Sequence, residues 1–122
     1  MQNEKEKFKK DFIKRLISFS LRTLDFCKID TKDRRLWVVI NQLIRSATSI
    51  GANVVEAKSS SSRRDYIKFF EIALKSANET KYWLILIKEL VSDKNKAEEL
   101  LAEVDEISKI IGSSVLTLKG KK

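Results

Sequence analysis

A chain of 122 residues, 43% apolar and 34% charged, can bury a core without disulfides or metal and is too apolar to stay disordered. It has no proline, three glycines and no histidine, which disfavours turn-rich β and α/β folds and removes the usual general base and the commonest metal ligand. A formal charge of +8 attracts polyanions, RNA or DNA first, through counterion release.

Residues of about 4–28 read as a first helix. Phe8, Phe12, Leu16 and Phe19 recur at helical spacing with Ile13, Ile17 and Leu24 beside them. Together they make an apolar face about half the circumference wide, more than one neighbouring helix needs. Lys7, Lys10, Lys14 and Arg22 lie on the other half, with Asp11 and Asp25. Residues 1–28 carry eight Lys/Arg against four Asp/Glu, whereas residues 92–122 are balanced at six against six. The positive excess is therefore weighted to the N-terminus. Cys27 ends the helix on its apolar side and, as the one cysteine, reads better as a small buried hydrophobe than as a nucleophile. A single thiol and an N-terminus without an apolar run point to the cytoplasm rather than to secretion.

Asp30 and Asp33 offer caps for a second helix over about 32–57. Its stripe of Leu36, Ile40, Leu43, Ala47, Ile50, Val54 and Ala57 alternates spacings of four and three, as knobs-into-holes packing requires. Trp37, Ile44, Gly51 and Val55 form a second stripe beside it. Gly51 fits a point where another backbone comes close, with a helix break as the competing reading.

Four serines, residues 59–62, make a loop, and Ser62 with Asp65 three residues on resembles a capping box. The third helix, about 62–91, turns Tyr66, Phe69, Phe70, Ala73, Ala77 and Leu84 inward. From Tyr82 to Ile87 every residue is apolar, so this stretch, Trp83 included, is expected to be buried from two sides, which implies self-association. The fourth helix, about 93–118, has the cleanest pattern: Ala97, Leu100, Leu101, Val104, Ile107, Ile111, Val115 and Leu118, followed by a basic tail. Its carboxylates, Glu98, Glu99, Glu103, Asp105 and Glu106, read as a solvated outer face.

Four long helices with short connections specify an all-α, antiparallel up-down-up-down four-helix bundle, one domain over residues 1–122. The longest apolar run, Tyr82 to Ile87, falls far short of the ~20 residues that span a bilayer, so no membrane partner is expected. A single cysteine gives no thiolate cluster, and no glycine-rich phosphate loop or serine elbow occurs. The chain reads as a non-enzyme without catalytic residues, cofactor or metal.

One constellation remains. Gln42, Arg45, Ser49, Asn53 and Glu56 follow spacings of three, four, four and three on one side of the second helix, roughly opposite its Leu/Ile stripe. They are either a solvated face or a seam between subunits, and small residues around them (Ser46, Ala47, Gly51, Ala52) permit close approach. These residues, with Ile50, Ala73, Ser76 and Glu79, resemble the signature of a bacterial four-helix-bundle family encoded by intervening sequences within 23S ribosomal RNA genes. The resemblance covers the second and third helices, about half the chain. It departs from the family pattern at Val55 (usually Ala), Ala57 (usually Gly) and Lys81 (commonly acidic). The resemblance implies a ring-like homopentamer without established catalytic activity. Related bundles act as accessory proteins of diversity-generating retroelements, where a basic pentamer associates with RNA and a reverse transcriptase. The expectation is therefore an RNA-associated accessory oligomer, contacting phosphates through Lys7, Lys10, Lys14, Arg22, Arg63 and Arg64. Its subunit interface is expected to include Gln42, Arg45, Ser49, Asn53, Glu56 and Trp83. The alternative is a protein-interaction scaffold with no nucleic-acid role.

Overall fold

The computed structural model describes residues 3–120. It contains α1 (Glu4–Phe26), α2 (Arg34–Lys58), α3 (Arg63–Leu90) and α4 (Lys94–Leu118). Each helix starts at a residue able to satisfy its free N–H groups. Asn3, Asp33, Ser62 and Asp93 are the N-caps, and each side chain accepts a hydrogen bond from a first-turn amide. The cap at Ser62 takes the Asp65 amide at 3.1 Å, as the serine loop's sequence implies.

Cross-helix pairs run in opposite numerical directions between α2 and α3 and between α3 and α4, so these neighbours are antiparallel. Ser46 and Ser49 of α2 meet Thr80 and Ser76 of α3. On α3, Glu71, Lys81 and Lys88 meet Lys119, Asp105 and Glu98 at α4. α1 packs on α2 and on α4, which closes the up-down-up-down square, though α1 leans more on α2.

The core follows the sequence stripes. All seven residues of the main α2 stripe are buried, as are Ala97, Leu100, Val104, Ile107, Ile111 and Val115 of α4. At Gly51 the α1 backbone passes close: a Cβ there would lie 3.4 Å from the Cβ of Leu16. Thus the glycine marks a helix crossing, and α2 continues unbroken to Lys58.

Two apolar faces are covered only in part within one chain, and one expectation needs correction. The broad face of α1 is only partly covered: Phe12, Leu16 and Phe19 are buried, while Phe8, Ile17 and Leu24 stay exposed. In the stretch Tyr82 to Ile87, only Leu84 and Ile87 are fully buried, and Tyr82 and Ile85 are 56% and 52% exposed. A helix at one corner of a four-helix square turns roughly half its surface to neighbours, so an all-round apolar stretch leaves its outer side uncovered within one chain. Finally, the carboxylates of α4 do more than face solvent. Glu103 and Glu106 bind Arg15, Asp105 binds Lys81 and Lys109, and Glu98 binds Lys88. Of the basic tail, Lys119 docks on Glu71, and Lys121 and Lys122 lie outside the described residues.

Candidate nucleic-acid interface

The six cations expected to meet phosphates do not share one surface. Lys7, Lys10 and Lys14 are exposed and recur at three and four along the outer side of α1. The same spacing continues through Ile17, Leu21 and Leu24, which are 53%, 61% and 39% exposed. One continuous stripe therefore has a cationic N-terminal half and a bare apolar C-terminal half. Trp37 and Val55, exposed on the secondary stripe of α2, share the side of that helix on which Gly51 receives α1.

Arg22 is exposed elsewhere on α1, where its charge helps hold the Glu103 carboxyl below its ordinary range. Arg64 is exposed in the first turn of α3. Arg63 turns to the end of the bundle and donates to the Leu118 carbonyl at 2.6 Å, satisfying the C-terminus of α4.

The polar stripe of α2 lies on the flank facing α3 rather than opposite the core. Arg45 donates to Gln42 Oε1 at 3.1 and 3.2 Å and to Glu79 Oε2 at 2.8 Å. Ser76 Oγ donates to Ser49 Oγ at 3.0 Å, and Asn53 Nδ2 donates to the Ser49 carbonyl at 2.8 Å. Just inside them the Thr80 hydroxyl lies 3.0 Å from Ser46 Oγ, both fully buried. Six of the residues that carry the family resemblance (Gln42, Arg45, Ser49, Asn53, Ser76 and Glu79) thus form a polar seam between two helices of one chain. Glu56 is exposed beyond its end. Trp83 follows Glu79 and Thr80 at helical spacing, half-buried, with an indole N–H that is buried and has no hydrogen-bond partner among the described residues.

Arg15 is a residue that the pattern of cations did not single out. Its Nε and Nη2 donate to the two oxygens of Glu103 at 2.8 and 2.7 Å, and Nη2 reaches Glu106 at 3.1 Å. This bidentate pair pins α1 to α4. The hydrogen bond from Arg15 is the main cause that lowers the Glu103 carboxyl below its ordinary value. A signal was present: Arg15 lies three residues after Phe12 and four before Phe19, hence beside the core face of α1.

Beyond that clamp, toward the N-terminus of α1, a cleft of about 980 Å³ opens between α1 and α4 and is floored by α2 and α3. Lys5, Lys9, Lys58, Arg63 and Lys109 stand around it, with no carboxylate and no side-chain amide among the described residues of its lining. Lys9 Nζ sits 5.8 Å from the centre of the Tyr66 ring.

Among the described residues no cluster of His, Cys, Asp and Glu could hold a metal, and no helix is long and apolar enough to cross a membrane. Burial pushes the Cys27 thiol up to about 11, away from the range of a reactive thiolate.

No curated protein matches the chain. A solved structure from Bacteroides thetaiotaomicron, described as a protein with unknown function from the S23 ribosomal protein family, is similar at 35% identity and a TM-score of 0.76. The match covers 85% of this chain and 97% of that one. A family described as 23S rRNA-intervening sequence protein matches residues 9–113, which include the α2–α3 seam, the Arg15 clamp and most of the α1 stripe. The chain belongs to the family of 23S rRNA-intervening sequence proteins.

Proposed function

We propose that this bundle is a non-enzymatic, self-associating accessory protein that holds RNA on its basic surface. The observation that carries the reading is the α1 stripe, with Lys7, Lys10 and Lys14 in line with Ile17, Leu21 and Leu24, all exposed. An apolar row of this kind, with Trp37 and Val55 exposed on the adjoining helix, is costly to leave in water and suits a second copy of the chain. Association through it would bring the lysine rows of several chains together. Their contacts would be to phosphates and independent of base sequence. Avidity across the assembly would then make weak contacts of single chains effective. The polar seam enters this reading as the rigid joint that fixes α2 against α3 rather than as the subunit contact.

The test uses two variants of exposed residues. Lys7→Gln/Lys10→Gln/Lys14→Gln is expected to lose most single-stranded RNA affinity in a fluorescence anisotropy titration while keeping helix content and sedimentation unchanged. Leu21→Glu is expected to sediment near the 14.1 kDa chain mass, where the parent sediments at a multiple of it. Equal RNA affinity of the parent and the triple variant would leave a scaffold without a nucleic-acid role as the better reading.

A further inference from the structure

The cleft beside the N-terminal half of α1 combines an apolar floor with a cationic rim. Its floor is hydrocarbon: Phe12, Ile13, Val54, Ala57, Phe70 and Ile110 come from all four helices. Its rim is cationic. Lys5, Lys9, Lys58 and Arg63 make no ion pair among the described residues, and Lys109 pairs with Asp105 on its own helix. Lys5 and Lys9 both act on Tyr66 at the mouth, the first through its charge and the second over the ring face.

The floor rings, Phe12 and Phe70, are poorly disposed to stack on bases. Phe8 already stacks on Phe12 with centroids 6.3 Å apart, Tyr66 stacks on Phe70 at 5.0 Å, and Phe12 and Phe70 are only 8% exposed. The hydroxyls of Ser60, Ser114 and Thr117 are turned back on backbone carbonyls of their own segments. Among the described residues the lining has no carboxylate and no side-chain amide, so the groups that read adenine and cytosine edges are missing from it. A hydrocarbon floor beneath unpaired cations, in a volume typical of small-molecule sites, matches one apolar chain ending in an anion.

We propose that the cleft binds a single free long-chain carboxylate. Its tail lies on the floor under Phe8, which is 57% exposed at the opening, and its head meets Lys5 and Lys9. A membrane surface is a poorer partner, because Phe12, Val54, Ala57 and Phe70 of the floor are each no more than 8% exposed and a flat surface would not reach them.

The test is calorimetric titration of the full chain with decanoate, dodecanoate and tetradecanoate below their micelle-forming concentrations, with dodecanol as the uncharged control. The expected result is one site per chain whose affinity rises about fourfold for each added methylene. Lys5→Gln/Lys9→Gln is expected to weaken dodecanoate about fivefold and leave dodecanol unchanged. Phe8→Ala is expected to weaken both, and the two variants should keep the parent's helix content. Absence of heat, several equivalent sites per chain, or affinity unaffected by either variant would overturn the proposal. So would displacement of the Phe8 contact by oligouridylate or by a second copy of the chain, seen as loss of RNA affinity or of sedimented mass in Phe8→Ala without carboxylate binding in the parent.

Discussion

Replacing Arg15 with alanine should release α1 from α4 and lower stability by about 2 kcal/mol. The figure lies between two limits: exposed ion pairs contribute roughly 0–1 kcal/mol, and breaking a buried pair costs about 3–5. The side chains of Arg15 and Glu103 are 34% and 17% exposed, and their contact is bidentate, so this pair belongs between those limits. Urea unfolding, followed by helix signal at fixed protein concentration, should show a midpoint lower by roughly 1 M in Arg15→Ala. A pH dependence follows from the direction of the Glu103 shift. Arg15 lowers its folded-state value, so the contribution is present above the ordinary carboxylate range and is lost as pH falls through the folded value. The difference between parent and variant should therefore be full at pH 7 and shrink as pH falls below the ordinary carboxylate range. Glu103→Gln should give a similar loss at pH 7, and combining it with Arg15→Ala should cost much less than the sum. Identical midpoints at pH 7, or a difference that persists unchanged in acid, would refute the clamp.

Gly51→Ala should raise the melting temperature by about 3–6 °C, since a helical glycine costs about 1 kcal/mol relative to alanine and the new methyl meets Leu16 at an ordinary contact distance. Gly51→Leu should instead lower stability by about 1–3 kcal/mol, by forcing α1 off α2, and a neutral result would mean that the helices do not cross there. Trp83→Phe removes a buried N–H that has no partner, so thermal unfolding should show no loss or a small gain; a loss above about 1 kcal/mol would mean that the indole is bonded in the assembled protein. Cys27 should resist iodoacetamide at pH 8 until urea is added. Its folded-state value is raised, so any stability it contributes is complete below the unfolded value near 9 and is lost as pH rises toward about 11.

The helices, their caps and most of the core were legible in the sequence because each depends on residues a few positions apart. The α2 and α4 stripes and the caps at Asp33 and Ser62 lie where spacing and side-chain chemistry put them. What could not be read was how each helix is rolled about its axis against two neighbours. Periodicity groups Gln42, Arg45, Ser49 and Asn53 on one flank but does not say that α3 supplies Ser76 and Glu79 opposite them. The same ambiguity let Ile17 and Leu24 pass as core, although with Lys7, Lys10, Lys14 and Leu21 they make an outer stripe. The end cleft was invisible because it arises from α1 parting from α4 beyond Arg15, a relation between residues about a hundred positions apart.

The proposed function rests on lysine rows repeated around an assembly, and the salt dependence of RNA binding tests it most directly. Each phosphate neutralised on a single strand contributes about 0.7 to the slope of log K against log salt, so Lys7, Lys10 and Lys14 of one chain account for about 2. The account predicts a slope steeper than that for the parent protein, because several chains engage one strand. A flat dependence, or no binding at low salt, would contradict it and leave the +8 charge as an aid to solubility.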